Sequence, residues 1–466
     1  MNKAFWKKSM GIILAFVLAM TTLAGCGGDS GSSSGTPITE EEAQDIAAAV
    51  DEKPTEISGT IEVSGWPSGD DAFEAAMAGF NEKYPNVDVE LVFTDTTSHH
   101  QALQSALVAG SGATDVAMVE GAYISQYRDS VALTDLRLLG ADALADDFVD
   151  FKWEQAISSD GERLVAIPWD LGPMLYYYRT DVFEEVGLPT DPYEVADLMS
   201  TWDGVLEVAE KVSIPGERWF LPSAAYLYQW MFINRDYYDE DLNLIIEREG
   251  DLEALEAALT VRENGWDMNV DMWSGEAYAA YSAGTCVTVA AGSWFSGFLK
   301  TDIDPEGAGN WGATELPGDM PATNWGGSFL VIPEQSDNKE AAWAFVKYML
   351  ATAEGQNDMF RAVDYFPAYE PAWEAEPELY TASDTYFAGQ SPNAIATEIA
   401  SQVPIVYNTI MDVTAEGYLH SSFNAGAEAG ETPEQIRERL RTDIEAATAE
   451  LKEQQIQTLR DAGLWE

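Results

Sequence analysis

The feature that most constrains the fold is a regular alternation between two hydrophobic periods in the first part of the folded chain. Apolar residues recur at every second position in two short segments and form a continuous run in a third, which predicts three strands, and they recur at helical spacing in the two segments between them. The first helical segment stops at Pro85, where a helix cannot continue. Strand-helix-strand-helix-strand order is typical of a parallel sheet with right-handed crossovers, so an α/β fold is predicted. The predicted elements are strands 60–64, 87–93 and 115–119 and helices 71–84 and 101–109.

The residues that follow these strands are candidates for a binding site. In open α/β sheets, ligands bind in the crevice beyond the carboxyl ends of the strands. Trp66 follows the first predicted strand, Asp95 follows the second, and Glu120 follows the third. The sequence therefore predicts that an aromatic ring and two carboxylates face one crevice.

The first 26 residues have the layout of an export signal. Lys3, Lys7 and Lys8 precede an apolar run, 10–23, which is too short to span a bilayer comfortably. The run ends in Leu-Ala-Gly-Cys26, which resembles the bacterial lipobox, whose cysteine is acylated and becomes the new N-terminus. This resemblance implies an extracytoplasmic protein, lipid-anchored through Cys26 to the outer face of the cell membrane.

The residues after the signal predict a tether and no disulfide. Segment 27–37 is rich in Gly and Ser, a composition typical of flexible linkers, and the acidic segment 38–57 is interpreted as a short helix or a disordered extension. The second of the two cysteines, Cys286, lies in an apolar run, which indicates a buried small hydrophobe. Since a lipidated Cys26 cannot form a disulfide, the mature protein is expected to have none.

The charge balance is strongly acidic, with 80 Asp and Glu against 24 Lys and Arg and a net charge of −56. A field of this sign repels nucleic acid and anionic membrane surfaces, so neither is an expected partner. Such repulsion destabilises a compact state unless salt screens it, which is compatible with a saline habitat. An acidic surface with no bearing on the ligand explains the same composition.

A succession of short motifs resembles family 1 extracellular solute-binding proteins. FNEKYPNV at 80–87 and VAGSGATDV at 108–116 are the most specific segments, and the match runs along almost the whole mature chain. The remaining motifs, in the expected order, are IPWD at 167–170, LYYYRTDVF at 175–183, TWD at 201–203, AAGSW at 290–294 and GGSFLVIP at 326–333.

The resemblance implies a periplasmic-binding-protein-like fold of type II, with two α/β lobes joined by a three-segment hinge. The chain is expected to cross between lobes near Trp169, Gly326 and Pro371. Helical spacing also predicts helices at 338–349 and 432–459. The implied organisation is a signal peptide over 1–25, the lipidated cysteine and acidic tether over 26–57, an N-lobe of 58–168 plus 326–371, and a C-lobe of 169–325 plus 372–466.

The implied function is that of the substrate-binding protein of an ABC importer, which closes on a sugar or oligosaccharide. A sugar has apolar C–H faces and hydroxyl edges, so it requires flat aromatic rings and hydrogen-bonding side chains. The chain supplies 15 Trp and 20 Tyr. The predicted ligand-binding residues are Trp66, Asp95, Glu120, Trp169, Asp170, Tyr226, Trp230, Trp294, Trp325 and Tyr365.

Two other functions stay open at this point. Exported, acidic, Trp-rich chains include glycoside hydrolases, but no carboxylate pair stands out as acid and base. An acid-lined crevice also suits polyamines or other cations. His99, His100 and His420 lack metal-ligand spacing, and the adjacent pair is interpreted as surface-exposed. We expect no enzyme activity, cofactor or metal; the expected partners are a carbohydrate, the permease subunits and, through the anchor, the membrane, and the protein is expected to be a monomer.

Overall fold

The computed structural model describes residues 38–233, 235–248, 250–318, 320–406, 408–461 and 463–465. The predicted signal peptide, Cys26 and segment 27–37 lie outside these residues. Within them, no helix combines the length and apolar character needed to cross a membrane.

The described chain is a mixed α/β structure. Its strands are β1 (Ser58–Gly65), β2 (Asn86–Phe93), β3 (Val116–Glu120), β4 (Ile167–Pro168), β5 (Asp170–Leu171), β6 (Met174–Arg179), β7 (Thr288–Gly292), β8 (Trp311–Thr314), β9 (Ser328–Val331) and β10 (Phe366–Pro367). Its α-helices are α1 (Glu40–Glu52), α2 (Gly69–Lys83), α3 (Thr96–Ala109), α4 (Ile124–Tyr127), α5 (Asp150–Gln155), α6 (Thr180–Glu185), α7 (Pro192–Leu198), α8 (Trp202–Val212), α9 (Ala225–Gln229), α10 (Asp251–Glu263), α11 (Gly275–Ala283), α12 (Phe295–Phe298), α13 (Lys339–Leu350), α14 (Ala353–Val363), α15 (Glu370–Ala375), α16 (Pro377–Thr381), α17 (Pro392–Ala400), α18 (Asp412–Ala429) and α19 (Pro433–Asp461).

The first lobe is built on a five-stranded sheet in the order β2-β1-β3-β9-β4. β1 pairs in parallel with β2 and β3, so that Val63 lies between Leu91 and Val116. β9 closes the sheet by pairing antiparallel with β3 and β4. The parallel pairs and their connecting helices α2 and α3 confirm the predicted alternation. The core forms where the buried rings of Phe73 and Phe80 on α2 meet Phe345 on α13.

The second lobe is built on a three-stranded sheet in the order β7-β6-β8. β6 pairs antiparallel with both neighbours and is buried along its whole length, which explains its run of three tyrosines. The hydroxyl of Tyr176 donates to Thr288 Oγ1 at 2.7 Å, and the hydroxyl of Tyr178 donates to the carbonyl of Thr190 at 2.8 Å. Each phenol therefore has a hydrogen-bond acceptor inside the core.

The chain passes between the lobes at three places. The first follows β4 at Trp169, where β5 pairs antiparallel with β10. The second precedes β9 at Gly326. The third lies between α15 and Gln390. Helix α15 packs against α14 of the first lobe, with Asn357 Nδ2 donating to the carbonyl of Ala372 at 3.0 Å. Contact with the second lobe is made further on, where Gln390 Nε2 donates to the Tyr178 hydroxyl.

Helix α1 belongs to the folded body. Thr39 and Glu42 form a reciprocal capping box at its start, and Ala43 and Val50 are fully buried. Lys347 on α13 pairs with Asp51 at 2.5 Å. Of the two structures considered for 38–57, the helix is confirmed, and assigning residues 40–52 to a flexible tether is wrong, because their apolar face is covered by α13.

Candidate functional site

A cavity of ≈ 70 Å³ lies between the two lobes where the crossings meet. Because parallel strands end at one edge of the sheet, the residues after β3 form its first-lobe wall. Helix α18 and the segment after α9 form the opposite wall, and the second crossing passes between them. The lining residues are Glu120, Gly121, Ala122, Gln155, Ile233, Tyr237, Asn324, Trp325, Gly326, Asn408, Asp412, Val413 and Glu416.

Two successive glycines allow the second crossing to lie directly on the end of β3. Gly326 and Gly327 have φ values of +77° and +78°, which side chains rarely adopt. A Cβ atom on Gly327 would lie 2.3 Å from the carbonyl oxygen of Asp170, so this position has no room for a side chain. The backbone N–H of Gly121 donates to the carbonyl of Gly327 at 2.7 Å. This close approach holds Glu120 at the cavity wall.

A charge triad formed by Lys152, Glu120 and Asp170 supports the cavity from the first-lobe side. Lys152 is fully buried; its Nζ donates to the carbonyl of Gly326 at 3.0 Å and lies 4.3 Å from the Phe329 ring centroid. Burial raises the pKa of Glu120 to about 7 and that of Asp170 to about 6, while the charge of Lys152 acts in the opposite direction on both. Burial lowers the pKa of Lys152 to about 8. Burial therefore moves the pKa of each of the three groups toward neutrality.

Helix α18 brings two more carboxylates to the cavity from the second lobe. Asp412 Oδ1 accepts from the hydroxyl of Thr409, and Glu416 Oε1 accepts from Gln229 Nε2 at 3.2 Å. Burial raises the pKa of Asp412 to about 7 and also raises that of Glu416. Tyr237 is 3 % exposed, and its hydroxyl has no hydrogen-bond partner among the described residues. The cavity thus offers carboxylate acceptors and a free phenol.

An aromatic cluster continues the cavity from Trp325 toward the surface. Trp294 Nε1 donates to the carbonyl of Trp325 at 3.0 Å. Trp273 stacks on Trp294 at 5.8 Å with 20° between the planes, and it is 39 % exposed. A Cβ on Gly326 would lie 3.6 Å from Trp294 Nε1 and 3.7 Å from Glu120 Oε1, so these two side chains approach one point from different lobes. Polar and aromatic surfaces therefore meet at the second crossing.

The first lobe adds a stack of rings beside Glu120. Trp66 stacks on His100 at 5.5 Å, and His100 stacks on Tyr123 at 4.1 Å. His100 Nδ1 donates to the carbonyl of Thr96, while its Nε2 accepts from the backbone N–H of Glu120 at 3.2 Å. Burial lowers the pKa of His100 to about 4, so the ring is neutral.

The prediction that His99 and His100 are surface-exposed is wrong. They are 3 % and 4 % exposed, because Trp66 packs against both rings, Tyr123 stacks on His100, and β3 lies beside them. His99 Nε2 donates to the carbonyl of Met118 at 2.8 Å. Both rings thus hold helix α3 against the end of β3. In the described part of the chain, no cluster of His, Cys, Asp and Glu could hold a metal ion.

The other predicted ligand residues lie apart from the cavity lining. Trp169 is fully buried against Phe73 at 4.8 Å, with Tyr365 packed beside it. Tyr226 and Trp230 stack on each other inside the second lobe. Asp95 is exposed and caps helix α3 by accepting from the backbone N–H of Ser98 at 3.0 Å. Asp170 supports the wall through Lys152. A ligand-contacting role for these residues stays a prediction.

Several residues of the cavity were not predicted. Asp412 and Glu416 are four residues apart, a spacing that places both on one helix face and could have marked them as a pair. Lys152 supports the cavity wall from behind, and its position between Phe151 and Trp153 makes it a lysine in an apolar setting. The sequence around Tyr237 gives no comparable indication that this residue lines a cavity.

Two α/β lobes, three crossings and a polar cavity between the lobes define the class of two-lobed solute-binding proteins. The family model of bacterial extracellular solute-binding proteins matches residues 75–384. The chain belongs to this family.

Some of the similar proteins are named for the sugar that they bind. The arabinooligosaccharide-binding protein of Halalkalibacterium halodurans is 24% identical over 412 residues, which cover 84% of this chain and 90% of the relative. A solved extracellular solute-binding protein of family 1 has a TM-score of 0.72 at 24% identity, over 83% of this chain and 99% of its own. The ABC-transporter-associated binding protein of B. animalis subsp. lactis Bl-04, solved with β-1,6-galactobiose, has a TM-score of 0.67 at 23% identity, over 85% and 98%. These likenesses establish the two-lobed fold.

Proposed function

We propose that this protein is the substrate-binding component of an ABC importer and that it binds a sugar or short oligosaccharide in the cavity between its lobes. The observation that carries the proposal is that Glu120 Oε1 and Trp294 Nε1 approach the same point beside Gly326, a lining residue of the cavity, from different lobes. Carboxylates accept hydrogen bonds from sugar hydroxyls, and indole rings stack on sugar C–H faces. The relatives named for arabinooligosaccharide and β-1,6-galactobiose support the same ligand class.

The cavity volume indicates that binding requires the lobes to separate. Sites for small molecules are typically about 300–1,000 Å³, whereas this cavity is ≈ 70 Å³. A sugar therefore enters an open form in which the walls formed by Glu120 and by Asp412 have moved apart about the three crossings. Contacts with both lobes then favour the closed form, which the permease recognises.

Calorimetric titration of the protein with arabinotriose, lactose and β-1,6-galactobiose tests the ligand class. We expect one of them to bind, and we expect Glu120→Gln and Trp294→Ala each to weaken binding at least tenfold. Glu90→Gln, on the exposed face of β2, is the matched control and leaves affinity unchanged. Failure of all three sugars to bind would contradict the proposal.

A cationic ligand is the second candidate, because Glu120, Asp412 and Glu416 all face the cavity. Titration with putrescine and spermidine under the same conditions separates the two classes. A polyamine that binds while no sugar does would replace the sugar assignment. Chromatography of the incubated sugar separates binding from hydrolysis, since a binding protein returns the sugar intact.

The anchor and the oligomeric state complete the proposal. Acylation of Cys26 would hold the folded body at the outer face of the membrane. We expect the wild-type protein in the membrane fraction and Cys26→Ser in the soluble fraction, with loss of the acyl mass by mass spectrometry. Light scattering is expected to give the mass of a monomer.

A further inference from the structure

A second and larger cavity lies within the second lobe. It has a volume of ≈ 850 Å³ and shares no described lining residue with the cavity between the lobes. The segment after α9 separates the two: Thr323 donates to the carbonyl of Ile233, and Arg235 donates to the carbonyl of Ala322. The side chains used below are Trp202, Met231, Arg235, Arg248 and Glu253.

The distinguishing feature of this cavity is a pair of arginines in a very acidic chain. Other arginines of the second lobe pair with carboxylates, as Arg262 does with Asp267 and Arg437 with Asp251. The hydrogen bonds described for Arg235 and Arg248 go to backbone carbonyls, and the charge of Asp236 acts on both arginines.

The two guanidinium groups line the same cavity and are close enough to influence each other. Burial, and after it the charge of Arg248, lowers the pKa of Arg235, while Asp236 acts in the opposite direction. The buried Nε of Arg248 has no hydrogen-bond partner among the described residues. The guanidinium of Arg248 lies over the Phe232 ring at 4.9 Å, which fixes its position. Two neighbouring guanidinium groups on one cavity wall favour an anion as ligand.

The other lining residues indicate what kind of molecule bears the anionic group. Trp202 is half-buried, and Gly318, with φ +72°, packs against its ring so closely that a Cβ there would lie 2.9 Å from it. The ring is thereby held in place at the cavity wall. An indole face suits the C–H face of a sugar ring, Glu253 can accept from its hydroxyls, and Met231 adds apolar contact.

We propose that this cavity binds an anionic monosaccharide, with its carboxylate or phosphate between Arg235 and Arg248 and its ring against Trp202. Guanidinium groups match both anions through paired N–H donors. The site lies on one lobe, so its occupation does not require closure of the lobes. It is distinct from the proposed sugar site, and the test of one site does not depend on the test of the other.

Calorimetric titration of the full chain with four probes tests this site: galacturonate, galactose 6-phosphate, galactose and inorganic phosphate. We expect galacturonate or galactose 6-phosphate to bind, and the stronger of the two identifies the anion. Arg235→Gln and Arg248→Gln are each expected to weaken that binding at least tenfold. Arg218→Gln is the matched control, because Arg218 lies on the same lobe outside the cavity and pairs with exposed Glu185.

The outcomes are separable. Arg248→Lys keeps the charge, so if Arg248→Gln does not fold, the lysine variant together with Trp202→Phe tests the same contacts. Binding that persists unchanged in Arg235→Gln, or that is abolished by Glu120→Gln, would place the anion elsewhere and overturn the proposal. Equal binding of galactose, or binding of inorganic phosphate alone, would refute an anionic sugar. No binding of any probe at about 10 mM, tenfold above a Kd of 1 mM, would also refute it.

Discussion

The backbone N–H of Ser328 donates to Oδ1 of Asp170 at 2.7 Å. This bond joins the first crossing to the start of β9, directly after the second crossing, so two of the three connections between the lobes are held together by one carboxylate. Asp170 is 3 % exposed and shares Lys152 with Glu120. The same side chain therefore supports both the hinge and the cavity wall.

Removing this carboxylate is expected to destabilise the fold. Asp170→Ala leaves the Ser328 N–H unpaired and Lys152 with one partner fewer, and losses of this kind cost about 3–5 kcal/mol in buried ion pairs. Asp170→Asn keeps an acceptor and should cost less. Urea denaturation measures both, with Asp88→Asn on the exposed face of β2 as control, expected within about 0.5 kcal/mol of wild type. Equal stability of Asp170→Ala and wild type would show that the bond contributes nothing.

The stability of the protein is expected to depend on pH through Glu120. Burial raises its pKa from 4.5 to about 7, so between these values the folded state binds more protons than the unfolded state. The stabilisation is fully present below pH 4.5 and is lost as pH rises through 7, a change on the order of 3 kcal/mol. Asp412, whose pKa is also raised to about 7, adds a change of the same sign.

The Glu120 contribution is isolated by comparing variants. The slope of unfolding free energy against pH should become shallower in Glu120→Gln between pH 5 and about 7, because the variant lacks the group that binds the extra proton in the folded state. Glu90→Gln, which removes an exposed carboxylate from β2, should retain the wild-type slope and corrects for the general acidity of the chain. Parallel curves for wild type and Glu120→Gln would mean that Glu120 is not perturbed by burial.

The order of elements in the first lobe could be predicted because most of them repeat one hydrophobic period over several residues. The predicted helix 71–84 is observed as Gly69–Lys83, and predicted strand 87–93 as Asn86–Phe93. Helix α3 begins earlier than expected, at Thr96, because Asp95 supplies its cap. A polar residue after a strand can cap the next helix or face a ligand, and the sequence does not distinguish the two.

The composition of the cavity was harder to predict than its position. Glu120 and Trp325 follow from strand ends and from the motif near the second crossing, and both line the cavity. Asp412 and Glu416 come from a helix far along the chain, and only the packing of α18 against α9 decides which of its faces meets Glu120. The motif around Trp169 predicts a site residue, yet its ring stacks on Phe73 in the core.

Substitution of Gly327 should be more costly than substitution of a glycine with open surroundings. Gly309 has φ +87° and open space where a Cβ would lie, so Gly309→Ala costs backbone strain alone, about 1–2 kcal/mol. Gly327→Ala adds overlap with the carbonyl of Asp170, and overpacking typically costs a further 1–3 kcal/mol or so. Thermal unfolding of the two variants measures the difference. A cost no larger than that of Gly309→Ala would show that the crossing can relax.

Docking of helix α1 on α13 is expected to depend on Val50. Its side chain is fully buried, and its carbonyl accepts from the Tyr84 hydroxyl at 3.3 Å. Because an unpaired carboxylate cannot stay in that contact, Val50→Asp should release α1, and its amides should exchange with solvent at least tenfold faster. Ala48→Asp places the same charge on the exposed face of the helix and should leave exchange nearly unchanged.

The hydrogen-exchange pattern also separates docking from folding of the whole lobe. Amides of β1 and β3 form the centre of the first sheet, and they should keep their protection in Val50→Asp if α1 is an added layer. Loss of protection in β1 as well would mean that α1 is part of the cooperative core. Since Lys347 pairs with Asp51 beside this contact, raising the salt concentration should weaken docking in wild type only slightly, because burial of Ala43 and Val50 carries most of the stabilisation.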